Sequence, residues 1–162
     1  MRYRKFKRKE VYYCMIIISH RGNIIGPNKD LENNPSYILE AIAEGYNVEI
    51  DVWLIDTNIL LGHDYGQYQV SLDFLKNDCL WCHAKNLEAL EFMLANDIHC
   101  FWHQHDDRTI TSKGLIWTYE GKLLGTKSVA CWMDAHGNFP SFDIFGICTD
   151  YPNKVKEILE KN

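Results

Sequence analysis

A chain of 162 residues, 46% of them hydrophobic, has material for one domain with one sizeable core, and a formal net charge of −5 excludes a general electrostatic nucleic-acid binder. No apolar run reaches the roughly 20 residues of a membrane-spanning helix, so no integral membrane segment is expected. Six cysteines in a chain without the pattern of a secretory leader point to free thiols in a reducing, cytoplasmic setting.

The chain starts with a basic stretch over residues 1–10 that carries Arg2, Arg4, Lys5, Lys7, Arg8 and Lys9. Such a run is read as a solvated tail, or as a weak contact with an anionic membrane surface. Residues 11–162 form the single folded domain. Val11–Ser19 follows the basic start as a leader would, but His20-Arg21-Gly22 stands where a small-residue cleavage site belongs. The run is therefore read as a buried strand over Tyr12–Ser19.

Next comes a predicted helix over Pro35–Glu44, with Asn34 as its cap, Pro35 in its first turn and Gly45 just past its end. Apolar runs then recur at Val48–Leu54, Ile59–Leu61, Leu80–Cys82, Ile98–Trp102, Leu115–Tyr119, Val129–Met133 and Phe145–Cys148. Their brevity and their β-branched and aromatic content predict strands buried on both faces. Asn86–Ala95 places Leu87, Leu90 and Leu94 on one helical face, and Asn153–Lys161 after Pro152 predicts a last helix. Alternating strands and helices imply a mainly parallel sheet. Eight strands imply an α/β fold, a compact (β/α)8 barrel of the TIM type. A typical barrel takes roughly 250 residues, so several helices must be shortened or replaced by loops. The link from Leu54 to Ile59 is too short for a parallel crossover, which makes that corner irregular.

Polar residues stand at the ends of these runs: Ser19-His20-Arg21, Gly62-His63-Asp64, Cys82-His83-Ala84-Lys85, Trp102-His103-Gln104-His105-Asp106 and Thr149-Asp150. In a (β/α) barrel such ends form the active-site rim. Glu49 and Asp51 lie two apart on one strand and so share a face. Two inward carboxylates repel unless a cation or a proton joins them. Hard oxygen ligands suit Mg²⁺ or Ca²⁺; the alternative is a buried ion pair with Arg21 or Lys85. His20 and His63, on separate strand ends, can divide general-base and general-acid work.

The stretches "SHRG", "ENNP", "VEIDVWL" and "LLGHD", with "GICTDYPNKVKEIL" at the end, resemble the glycerophosphodiester phosphodiesterases. The similarity covers residues 12–64 and 145–159 and flanks a divergent middle. It implies that His20 and His63 are the catalytic histidines, that Arg21 holds the phosphate, that Glu49 and Asp51 bind a divalent metal, and that Glu32 is a supporting hydrogen-bond residue. The family's third carboxylate lies in an "ExK" pair, where this chain reads "CHAK". That departure places His83 at the ligand position and Lys85 at the phosphate-facing lysine, with His103 as the rival ligand. An imidazole would soften the site toward Mn²⁺ or Zn²⁺. The implied reaction is hydrolysis of a glycerophosphodiester to glycerol 3-phosphate and an alcohol, a step of lipid metabolism. The alternatives are a phospholipase of the same superfamily and a degenerate barrel that binds a phosphate ligand without turnover. The stretch "YGQYQVSL" after His63 replaces a Thr-containing family segment and leaves alcohol specificity open.

Three further signals carry less weight. Cys79-Leu80-Trp81-Cys82-His83 matches a haem-attachment pattern, but attachment requires export. Cys79, Cys82, His99 and Cys100 lack the second paired motif of a zinc site, so they are read as small core residues. Trp117 is a candidate for stacking on substrate, with core packing as the alternative.

Overall fold

The computed structural model describes residues 15–141 and 143–161, so the basic stretch and the first residues of the opening apolar run lie outside the described residues. Ten strands alternate with four short helices among the described residues: β1 Ile16–His20, α1 Pro35–Ala43, β2 Asn47–Ile55, β3 Asn58–Leu61, β4 Tyr68–Val70, α2 Leu72–Leu75, β5 Leu80–Ala84, α3 Leu87–Ala95, β6 Cys100–Phe101, β7 Arg108–Ile110, β8 Ile116–Thr118, β9 Ser128–Cys131, β10 Gly146–Thr149 and α4 Pro152–Glu160.

The strands form one mixed sheet. β6, β5, β2, β1, β10, β9 and β8 lie side by side and parallel, in that order. β3 folds back antiparallel on the end of β2, β4 pairs with β3, and β7 is antiparallel to β8. The expected (β/α)8 barrel is not what the chain builds. It builds a curled half-barrel, because three of the connections between parallel strands carry no helix: β6 to β8 over residues 102–115, β8 to β9 over 119–127 and β9 to β10 over 132–145. The run Ile59–Leu61 is not a parallel strand either. The two residues Asp56 and Thr57 join β2 to β3 as a hairpin, and Asp56 takes the left-handed conformation at φ 55° that a tight hairpin turn requires. The exposed edge of β6 is covered where Ser112 N–H donates to the Cys100 carbonyl at 2.7 Å and Ser112 Oγ donates to the Ile98 carbonyl at 3.1 Å.

Period-two alternation divides the core. On the outer face, Val48, Ile50, Val52, Leu80 and Cys82 pack against Ile38 and Ala41 of α1 and Ala89 and Met93 of α3. Ala130 and Ile147 pack against Val155 of α4. On the inner face Ile18, Trp81, Phe101, Trp117, Val129, Cys131 and Cys148 form a separate cluster. Because Val48, Ile50 and Val52 face outward, Glu49 and Asp51 must face inward.

The α1 start follows the sequence. Pro35 needs no N–H partner at the first position, and Asn34 Oδ1 accepts from Ser36 N–H at 2.9 Å. Asn34→Ala is expected to cost about 1 kcal/mol, read from urea unfolding. An unchanged midpoint would mean that water replaces this cap. No helix is long and apolar enough to cross a membrane among the described residues.

Candidate metal centre

The site forms where the parallel strands end. β2 presents Glu49 and Asp51, which are 3% and 0% exposed. β5 presents His83, in register with Asp51. One ligand atom from each of the three lies within 4.8 Å of the others, so the group could hold a metal ion, and no other such group of three occurs among the described residues.

The geometry at His83 sets its tautomer. His83 Nε2 lies 3.1 Å from the His103 carbonyl, which only accepts, so Nε2 carries the proton. In the neutral ring Nδ1 then holds a lone pair. It points at Asp51 Oδ1 at 3.3 Å and Glu49 Oε1 at 3.7 Å. A lone pair facing two carboxylate oxygens is favourable only with a cation or a proton between them. Glu49 Oε2 and Asp51 Oδ1 are buried and accept no hydrogen bond from the described residues. These orphaned oxygens and the oriented imidazole fit a divalent cation.

Arg21 Nε lies 2.9 Å from Asp51 Oδ2, and Lys85 Nζ lies 3.3 Å from Asp51 Oδ1. The buried ion pair weighed as an alternative to metal binding is therefore present at Asp51. It is absent at Glu49, whose nearest basic groups are histidines. Burial drives both carboxyls upward. At Asp51 the contacts from His83, Arg21 and Lys85 outweigh burial and hold it well below the ordinary range. At Glu49 burial and the neighbouring Asp51 win, so its pKa is raised.

His20 ends β1. Its Nδ1 bonds Asp150 Oδ1 at 2.8 Å, and its Nε2 lies 3.8 Å from Glu49 Oε2. Burial alone would lower the His20 pKa, but the hydrogen bond to Asp150 and the charge of Glu49 outweigh it and raise it. Burial pushes Asp150 up, but His20 and Asn23 outweigh it and hold it down. Arg21 follows in the left-handed region at φ 56°, and Gly22 stands at φ 93°. A Cβ on Gly22 would stand 2.8 Å from Tyr37 Cδ1, so the turn after His20 needs glycine. Gly62 is constrained likewise, since a Cβ there would stand 2.1 Å from the Tyr65 carbonyl oxygen.

His63 reaches the same rim by another route. The β3 hairpin returns the chain, and Gly62 N–H donates to the Asp51 carbonyl at 3.1 Å. The His63 side chain is 46% exposed, with Nδ1 at 2.7 Å from Asp64 Oδ1. It lies between two cavities of about 400 and 380 Å³ and lines both. Glu32 accepts from Arg21 at 3.0 Å and from Asn23 at 3.0 Å.

Two of the other sequence-selected residues lie elsewhere. The His103 ring stacks on His83 at 5.2 Å and stays outside the three-ligand group; burial and the neighbouring His83 push its pKa down to about 4. Trp117 is 4% exposed and stacks on Phe101 at 4.6 Å, so it packs the inner core and not the rim. Cys79, Cys82 and Cys100 are free thiols, and His99 Nε2 bonds Thr111 Oγ1 at 3.1 Å.

Three residues of the site had been given no role. Asp150 orients His20 across 130 positions of sequence. Its only signal was a polar residue closing the last strand. Asn23 donates to both Glu32 and Asp150 and so ties the two acidic groups together. Asn33, fully buried at φ 63°, donates to Asp51 Oδ2 and accepts from Asp51 N–H, each at 2.9 Å. An asparagine that caps no helix, beside one that does, was the available hint. Comparison with protein-family models, with characterised proteins and with solved structures finds no match to this chain.

Proposed function

We propose that this chain is a metal-dependent phosphodiesterase that hydrolyses a glycerophosphodiester to glycerol 3-phosphate and an alcohol. The observation that carries the reading is the buried group of Glu49, Asp51 and His83: Asp51 Oδ1, without a hydrogen bond, faces the oriented Nδ1 of His83, Glu49 turns Oε1 to the same nitrogen, and Glu49 Oε2 also lacks a hydrogen bond. The sequence resemblance around His20, Glu32, Glu49 and His63 supplies the reaction class.

Glu49, Asp51 and His83 would hold the cation. Two carboxylates suit Mg²⁺ or Ca²⁺, and the imidazole extends the range to Mn²⁺ or Zn²⁺. A bound divalent ion supplies Lewis-acid stabilisation of charge on phosphate oxygens. Arg21 and Lys85 add fixed cations at the same carboxylate and would share the phosphate load. Asp150 accepts from His20 Nδ1–H, which leaves Nε2 to move a proton at the mouth. His63, exposed between the two cavities, is the second proton-moving group.

The test is turnover of a glycerophosphodiester panel after chelation, with Mg²⁺, Ca²⁺, Mn²⁺ and Zn²⁺ restored in turn. Rate is expected to vanish on chelation and to return with at least one ion. Full rate in metal-free protein would refute the metal role.

The ion pairs at Asp51 favour a second reading, a phosphate-binding protein without turnover. In that case phosphate binding survives chelation and no diester is cleaved.

A further inference from the structure

We propose that the cavity of about 380 Å³ beside His83 receives the alcohol half of the substrate and selects a neutral hydroxylated ring over a cationic alcohol. This rests on the phosphodiesterase reading above and names its substrate class.

The placement follows from His63 and His83. His63 lines both mouth cavities, and His83, a member of the three-ligand group, lines only the second of them. A phosphorus centre held at those ligands would have one substituent on each side of His63. The cavity on the other side is lined by Arg21 and Lys29 and by the carboxylates of Glu32 and Asp64, so it offers both signs of charge. The cavity beside His83 differs in sign: among the described residues it is lined by Lys85 and by no carboxylate.

Its remaining walls are aromatic and hydrogen-bonding. Trp102 and Tyr119 line it, with His103 set edge-on to Tyr119 at 4.5 Å and 81°. Gln104 and His105 add donors and acceptors. A quaternary ammonium would gain from the two aromatic faces. It would also meet the Lys85 ammonium, whose partner Asp51 at 3.3 Å is fully buried and outside the cavity lining, so the repulsion is reduced and not removed. A polyol ring gains apolar contact with Trp102 and Tyr119 without that repulsion, and its hydroxyls meet the imidazoles, the amide and the phenol. A volume of about 380 Å³ is in the range of small-ligand pockets and admits a six-membered ring.

The experiment compares kcat/KM for two glycerophosphodiesters that differ only in the alcohol, inositol against choline, with the metal that supports turnover. The inositol ester is expected to lead by about tenfold. Lys85→Gln is expected to bring the ratio within about twofold of one, whatever it costs both esters in rate; Lys85→Met replaces it if that variant fails to fold. A choline ester turned over as well or better overturns the proposal, and so does a ratio that survives in the variant. If no diester is cleaved, the phosphodiesterase reading fails by itself. Saturation-transfer NMR with inositol 1-phosphate and phosphocholine then decides the cavity: stronger transfer to inositol 1-phosphate supports it, and equal or absent transfer overturns it.

Discussion

His20→Ala is expected to lower phosphodiester turnover by about 10²–10⁴-fold, the usual contribution of a positioned acid–base group. The argument rests on orientation. Asp150 accepts from Nδ1–H and directs Nε2 toward Glu49 at 3.8 Å, so the ring is held in one tautomer and one pose. His63→Ala should lose a comparable factor. The two variants should be far from additive if the histidines act in one proton-transfer cycle. A double variant with residual rate near that of the intact protein would remove both from the mechanism. Asp150→Asn separates positioning from chemistry, because the fold keeps its hydrogen-bonding shape while the charge goes.

The His20–Asp150 contact also has a pH signature. His20 is raised above its unfolded value of about 6.5, so its contribution to stability is complete below that pH and is lost as pH rises through the folded value. Asp150 is lowered beneath its unfolded value of about 3.9, so its contribution is complete above that pH and is lost as pH falls through the folded value. The stability difference between intact protein and Asp150→Asn should therefore be greatest between about pH 4 and 6.5 and shrink above. Urea midpoints measured across pH check it. A difference that grows toward alkaline pH would mean that His20 is neutral throughout.

Asp51→Ala is expected to abolish divalent-metal binding and to destabilise the fold by about 3–5 kcal/mol, the cost of removing one partner of a buried ion pair. Arg21, Lys85 and His83 all converge on this one carboxylate, which is 0% exposed. Its loss would leave two cations facing each other beneath the mouth. Glu49→Gln is the contrasting variant. Burial and Asp51 already disfavour the charge on Glu49, so a neutral amide of the same shape should cost the fold little while metal affinity falls. The sign for intact protein follows. Ionising Glu49 costs stability as pH rises through its raised folded value, and metal binding, which needs the ionised form, weakens as pH falls through it. Calorimetry with Mn²⁺ and urea unfolding on both variants tests this. An Asp51→Ala protein within 1 kcal/mol of the parent would show that the cluster is solvated and not a buried ionic centre.

Local sequence carries the helices and most strands, because their signals are local. Asn34 with Pro35 starts α1, Asn86 caps α3 and Pro152 opens α4. The alternation around Glu49 and Asp51 requires that both face the interior, since Val48, Ile50 and Val52 are needed outside against the helices. The pairing of these carboxylates with His83 was also legible, because His83 and Lys85 repeat the two-residue spacing one strand further on.

Closure of the sheet was not legible. Counting apolar runs cannot distinguish a parallel strand from the return arm of a hairpin. Only the antiparallel register of Leu61 with Val52 shows that β3 folds back on β2 and brings His63 to the mouth from the wrong strand for a (β/α)8 barrel. Trp117 could stack on substrate or on Phe101 according to which way its strand faces, and the inner core claims it. Asp150 and Asn33 carry only weak local signals, and neither signal names a partner. One meets His20 and the other meets Asp51 only after the sheet has curled and the loop after β1 has been laid across its end. Residue spacing thus determined which side chains share a face, because the strand repeat is two everywhere. Tertiary structure alone decided which carboxylate takes the cations and which stands unpaired for a metal, because that depends on burial and charge summed across strands distant in the chain.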